Sequence, residues 1–236
     1  MKLTKILALL LVTAMLLTLA ACGINEKPDT TEPEQPTSQI KLPEPEDSQT
    51  AFLGDNLYIT DIGNYTGAYM EDGSDEILTG ILMIVLKNEG EAALQLARIS
   101  LVYADFTANF EVTNLPAGES VVLLEKNRHP YVSDRYLRAT TENVVFFQEP
   151  MSLQEDKVKI TGSKGFLEVE NLTDETMGQI YIYYKNSAAD LLYGGITYRA
   201  RVDSGLKSGK KTTVQTNHFN PKTCTILNVQ ILPVEE

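Results

Sequence analysis

The sequence predicts an all-β protein, two tandem β-sandwiches preceded by a leader segment and an unfolded spacer. Three observations carry this. Short runs rich in Ile, Val, Tyr, Phe and Thr recur between Gly, Asn and Asp from Ala51 onward, which is the pattern of strands separated by turns. Helical periodicity is scarce over the same stretch. The runs also fall into two sets whose landmarks repeat.

The leader is Met1–Ala21. Lys2 and Lys5 precede Ile6–Leu19, an uncharged and mostly apolar run, too short to span a bilayer comfortably but suited to a signal-peptide core. It closes on Leu19-Ala20-Ala21-Cys22-Gly23, which resembles the lipobox of bacterial lipoproteins position for position. That resemblance implies a diacylglyceryl group on the Cys22 thiol, cleavage before it, and Cys22 as the new N-terminus. Two acyl chains anchor stably where one binds marginally. Membrane lipid is thus an expected partner through Cys22, and the chain is expected on the outer face of the cell membrane. No later stretch approaches 18 consecutive apolar residues.

The segment from Cys22 to Thr50 is read as the lipidated cysteine and a disordered acidic spacer. It holds five of the ten prolines (Pro28, Pro33, Pro36, Pro43, Pro45) and seven acids against Lys27 and Lys41. Proline stiffens such a chain and like charges extend it, to a limit of roughly 85 Å at about 3.1 Å per residue.

Two sandwiches then follow, over Ala51–Glu149 and Pro150–Glu236. The first set of expected strands is Leu57–Ile62, Ile81–Lys87, Arg98–Tyr103, Asn109–Thr113, Ser120–Glu125 and Asn143–Gln148. The second set is Val158–Thr161, Phe166–Glu170, Gln179–Lys185, Gly195–Val202, Thr212–Thr216 and Thr225–Leu232. Gly80–Asn88 lines up with Gly165–Asn171. Ile99, Leu101 and Tyr103 line up with Ile180, Ile182 and Tyr184, and Leu115-Pro-Ala-Gly118 with Leu206-Lys-Ser-Gly209. Asn127-Arg-His-Pro130 echoes Asn217-His-Phe-Asn-Pro221. The spacing drifts as loop insertions would make it.

A Val-x-Asn strand end, an alternating strand closing on Tyr and a Leu-x-x-Gly turn resemble the small immunoglobulin-like modules of exported Firmicutes proteins, the FxLYD-like type. The second half carries this best, through Gly165–Asn171, Ile180–Asn186, Gly194-Gly-Ile-Thr-Tyr198 and Leu206–Gly209. The first half lacks a Gly-Gly-Ile-Thr-Tyr counterpart. The resemblance implies two immunoglobulin-like β-sandwiches and an extracytoplasmic binding or spacer module without catalysis.

Charge and composition narrow the function classes. The whole chain carries −12 and shows no basic cluster, which argues against nucleic acid as a partner. Two cysteines, one of them Cys22, leave no disulfide framework and no thiolate zinc cage. Phosphate-loop, nucleophile-elbow and His-Glu-x-x-His motifs are absent from the sequence, so no cofactor is expected.

Few residues remain as site candidates. Glu71, Asp72, Asp75 and Glu76 form the densest acidic loop of the folded part. They could supply three or four oxygen ligands to calcium but lack the ligand order of an EF-hand, so the loop is read as a solvated acidic hairpin and no metal is expected, with calcium binding as the alternative. His129 and His218 occupy matching repeat positions, which would keep them apart. Cys224 opens the last strand, where it is read as a small buried or half-buried hydrophobe, with a reactive nucleophile as the alternative. Tyr181 and Tyr183 point outward from a strand whose Tyr184 points inward. They are either a binding surface for an envelope protein or glycan, or structural cross-strand packing. The expectation is a lipid-anchored binding or scaffold protein of the bacterial envelope that is not an enzyme. The alternatives are an envelope enzyme with a carboxylate-based site and an accessory lipoprotein of a transport or secretion system.

Overall fold

Strand-forming residues fill the chain with few interruptions, and the backbone pairs accordingly. The computed structural model describes residues 39–41, 50–189 and 191–234. The expected leader, Cys22 with its expected lipidation, and most of the stretch read as spacer lie outside the described residues. Every described residue belongs to one compact unit, Pro36–Glu236. Among the described residues there is no helix long and apolar enough to cross a membrane.

The first half contains β1 (Gln39–Lys41), β2 (Ala51–Gly54), β3 (Leu57–Tyr69), β4 (Glu76–Asn88), β5 (Leu94–Val102), β6 (Thr107–Leu115), β7 (Ser120–Leu124) and β8 (Arg138–Phe146). The second contains β9 (Val158–Ser163), β10 (Phe166–Asn171), β11 (Ile180–Ala188), β12 (Leu191–Val202), β13 (Lys211–Gln215) and β14 (Cys224–Ile231). All twelve strands read from the sequence are present. β1, which pairs antiparallel with β3 inside the stretch read as spacer, and β2 were not anticipated. β3 and β4 run longer than expected because Gly80 does not end a strand. It sits at a register shift between Tyr65 and Thr66 with φ of 79°, a backbone conformation that favours glycine.

Pairing order repeats between the halves. In the first, β3-β4-β7 form one layer and β6-β5-β8 the other. In the second, β9-β10-β13 form one layer and β12-β11-β14 the other. The layers are not separate across the chain. β7 pairs parallel with β12 through Leu192–Val121 and Tyr193–Val122, giving one continuous eight-stranded sheet in the order β1-β3-β4-β7-β12-β11-β14, with β2 on β3.

Three apolar clusters follow from this arrangement. One lies between the layers of the first half, around Leu82, Ile84, Leu86, Ile99, Leu101 and Phe110. A second lies between those of the second half, around Leu167, Val169, Ile180, Ile182 and Tyr184. The third covers the opposite face of β3, β4 and β7, with Tyr65, Tyr69, Met70, Met83, Val85, Val122 and Leu124 under Leu191 and Tyr193 of β12. The middle of β4, Ile81–Leu86, is therefore buried on both faces. Its unbroken apolar run is the sequence form of that position, as in sheets covered on two sides.

The repeat extends to individual side chains. Asn88 and Asn171 are fully buried. Asn88 Nδ2 donates to the carbonyls of Ala92 (2.9 Å), Pro116 (3.3 Å) and Leu115 (3.4 Å), and its Oδ1 accepts the Gly90 amide (3.0 Å). Asn171 Nδ2 donates to Glu175 (2.7 Å) and Leu206 (2.9 Å), and its Oδ1 accepts the Thr173 amide (2.8 Å). Each asparagine pins the end of its strand to the turn that precedes β7 or β13. Ring stacks repeat as well. His129 lies on Phe106, which lies on Tyr103, with centroids 4.7 Å apart at both steps. His218 lies on Tyr198 at 4.4 Å, and Tyr198 on Tyr184 at 5.5 Å.

Removing either asparagine amide strands two or more buried carbonyls. Asn88→Ala and Asn171→Ala are each expected to cost about 1–3 kcal/mol in urea unfolding. Equal losses on both sides would match the equivalence of the two positions, and no loss at either would contradict it.

Candidate functional site: the seam between the halves and its cleft

The seam forms where β12 of the second half meets β6 and β7 of the first. Gly194 and Gly195 lie in β12 beside the first half. A side chain at Gly195 would stand 1.7 Å from the Glu111 carbonyl oxygen, and one at Gly194 would stand 3.1 Å from the Met70 Cβ. Glycine is thus required at 195 by the approach of another backbone. Thr113 of β6 donates to the Gly195 carbonyl (3.0 Å), and Thr197 of β12 donates to the Thr113 carbonyl (3.0 Å).

Glu71 and Lys185 supply the charges there. Glu71 Oε1 accepts the amide of Leu124 at the end of β7 (2.9 Å), and Oε2 accepts the amide of Gly195 in β12 (2.8 Å). One carboxylate therefore splices the two strands beyond their two paired residues. Lys185, fully buried, follows the inward Tyr184 at a register shift in β11. Its Nζ donates to the carbonyls of Gly194 (2.8 Å), Gly195 (2.7 Å) and Ile196 (2.7 Å). Three acceptors match the three N–H bonds of an ammonium. Burial pushes the Lys185 ammonium down from its usual 10.5 to about 7, while the Glu71 carboxylate pulls the other way. Burial raises Glu71, against the amides and the ammonium that favour its charge.

The other carboxylates of the acidic loop have protein partners. Arg128 reaches Asp72 and Glu76, both at 2.8 Å, and its guanidinium lies 4.7 Å from the centre of the Tyr69 ring. The Ser74 hydroxyl and amide hold the Asp72 carboxyl below its usual range. Asp75 meets His218 Nδ1 at 3.2 Å. The four calcium candidates thus do not converge: Glu71 faces the Leu124 and Gly195 amides, Asp72 and Glu76 share Arg128, and Asp75 faces His218. Among the described residues no cluster of three His, Cys, Asp or Glu side chains is placed to hold a metal. His129 and His218 sit in separate ring stacks. The Cys224 thiol donates to the His218 carbonyl (3.3 Å), not its ring, and burial raises its pKa.

A cavity of about 460 Å³ opens where the chain passes from one half to the other. Gln95 of β5 and Asn114 of β6 line it from the first half, and Tyr183, Asn228 and Gln230 from the second. The connecting chain adds Phe147, Glu149, Ser152, Gln154 and Lys157. Tyr183 and Tyr181 do project from the face opposite the second core, with ring centroids 6.4 Å apart. They differ in setting. Tyr183 lines the cavity and its hydroxyl donates to Gln230 Oε1 at 3.3 Å. Tyr181 bonds Gln179 and carries the Arg199 guanidinium 4.8 Å from its ring centre.

Sequence reasoning missed Lys185, Gln95 and Asn114. The register shift that turns Lys185 inward has no sequence signature. The unbroken runs Ile81–Leu86 and Val121–Leu124 were a usable signal for the seam, since a strand with one wet face alternates.

Breaking the buried pair by Glu71→Gln or Lys185→Met should cost about 3–5 kcal/mol, because each leaves the other charge unpaired. Denaturant unfolding measures this, and a loss below about 1 kcal/mol would assign the pair to solvent. Lys185 also gives a pH signature. Between about 7 and 10.5 the unfolded chain keeps the proton that the folded chain releases, so stability rises with pH across that window. The rise should be smaller in Lys185→Met, as read from melting temperature against pH.

No family model matches the chain, and neither a curated protein nor a solved structure matches it.

Proposed function

We propose that the protein is a lipid-anchored, extracytoplasmic binding or scaffold protein of the bacterial envelope, made of two immunoglobulin-like modules fused through one sheet. The repeated pairing order supports the module reading. Leaving β1 and β2 aside, each half has one layer of its first, second and fifth strands and one of its third, fourth and sixth, two antiparallel layers packed face to face as in an immunoglobulin-like sandwich. The lipobox at Leu19–Cys22 supports the anchor.

The observation that carries the binding reading is the cavity beside Tyr183, walled by both halves and by the chain joining them. Concave sites between units are where small ligands and chain segments are usually held. Glu149 is the one carboxylate among the residues lining it, beside one lysine, Lys157. That composition suits recognition better than the paired carboxylates of hydrolytic chemistry.

Two measurements test the proposal. Cys22→Ala should move the protein from the membrane fraction to the soluble extracytoplasmic fraction, and retention in the membrane would refute the lipid anchor. Crosslinking in intact cells should capture an envelope component through the wild-type chain, with at least a several-fold loss in Tyr183→Ala. Capture unchanged by that substitution would remove the cavity from the function.

A further inference from the structure

Five of the side chains lining the cavity are primary amides: Gln95, Asn114, Gln154, Asn228 and Gln230. Gln95, Asn114 and Gln154 make no side-chain hydrogen bond to the described residues. A primary amide holds donor and acceptor atoms side by side. Three of them turned to one cavity present an unfilled set of both kinds. Gln154 is held there at φ of 50°, a left-handed conformation uncommon for a residue of its size. Tyr183 adds an aromatic surface whose hydroxyl is tied to Gln230.

We propose that this cavity is a binding site for a neutral saccharide, an inference that rests on the binding reading above and specifies its ligand. Hydroxyl groups both donate and accept, so adjacent hydroxyls on a sugar ring match side-chain amides, while the ring's C–H face packs on an aromatic side chain. A volume of about 460 Å³ falls in the range of small-ligand clefts, roughly 300–1,000 Å³. Charge excludes an anionic ligand as the favoured class. The lining holds one acid and one base, and the chain as a whole carries −12, which repels anions at long range.

An extended peptide is the competing occupant, and the strand edge speaks against it. Peptides bind sheets through main-chain bonds to an open edge. At the cavity the edge of β14 is already taken. The Val229 amide donates to the Ser152 carbonyl (2.8 Å), and the Ser152 amide donates to Asn228 Oδ1 (2.9 Å). Side chains, not backbone, are what the cavity offers a ligand.

Titration calorimetry of the detergent-extracted full chain with chitotriose, cellotriose and maltotriose tests this. Saturable binding of at least one is expected. Gln95→Ala and Tyr183→Ala should each weaken it about tenfold or more, equivalent to about 1.4 kcal/mol. Gln95 is exposed, so an unchanged melting temperature in Gln95→Ala assigns any loss to the contact and not to unfolding. Lys211→Ala, on β13, should leave affinity unchanged. Absence of binding by all three sugars, or binding that neither cavity variant weakens, overturns the proposal. Saturable binding of an uncharged hexapeptide in place of the sugars also overturns it, yet leaves the wider binding function standing. That function falls separately, if crosslinked capture in cells is indifferent to Tyr183→Ala.

Discussion

The contact on which the rest of the structure depends is the carboxylate of Glu71 set between the amides of Leu124 and Gly195. A parallel pairing only two residues long, Val121 and Val122 against Leu192 and Tyr193, is a weak joint for two halves with cores of their own. Parallel bonds are slanted and slightly weaker per residue than antiparallel ones. The carboxylate continues the ladder where the backbones diverge. It does so as a buried anion, which is tolerable only with a counter-charge nearby. Lys185 provides it, and the three carbonyls of Gly194, Gly195 and Ile196 satisfy the ammonium in turn. A buried pair of this kind need not add stability over an apolar pair of the same shape. What it does is fix one register between the halves, since any slip would leave both charges buried and unpaired.

The cavity inherits that registration. Its walls come from β5 and β6 on one side and β11 and β14 on the other, so no single half contains it. Side chains that recognise a ligand must be held to within about half an ångström. Across two packed units, ordinary domain motion would exceed that. The apolar cover over the far face of β3, β4 and β7 suppresses such motion, because opening the seam would expose Met83, Val85, Val122 and Leu124 to water. A stable joint and a precise cleft are in this sense one feature seen from two sides.

The local structure was legible in the sequence, and the long-range structure was not. Alternation placed Tyr184 inward and Tyr181 and Tyr183 outward, as found, because side-chain period along a strand is a local property. The pairing of Gly80–Asn88 with Gly165–Asn171 was legible for a related reason. A buried asparagine that closes a turn needs the same neighbours wherever it occurs, and the two sites bond alike. The partners of the acidic loop were not legible, because charge density alone does not show where each carboxylate goes. Glu71, Asp72, Asp75 and Glu76 lie within six residues, yet meet partners as distant in sequence as Gly195 and His218. The Gly194-Gly195 pair had the same fate. It was read as part of a module motif, and its reason is the Glu111 carbonyl from the other half.

The two halves repeat in topology but not at the seam, and this asymmetry bears on how the fold ends. Joining the layer edge β7 to the edge β12 is a head-to-tail contact, and such contacts extend indefinitely when every unit carries both surfaces. Here each surface is specialised once. The loop bearing Glu71 spans β3 to β4 in the first half, whereas β9 and β10 are joined by the two-residue turn Lys164-Gly165. The close approach at Gly195 has no glycine pair to match it in β6, which instead supplies Thr113 to the same joint. In the first half Ala104 stands at the repeat position of Lys185, one residue beyond Tyr103 as Lys185 is beyond Tyr184. The chain therefore carries one acceptor loop, one glycine edge and one buried ammonium, and all three are used against each other. The chemistry that fuses the first repeat to the second is consumed in doing so.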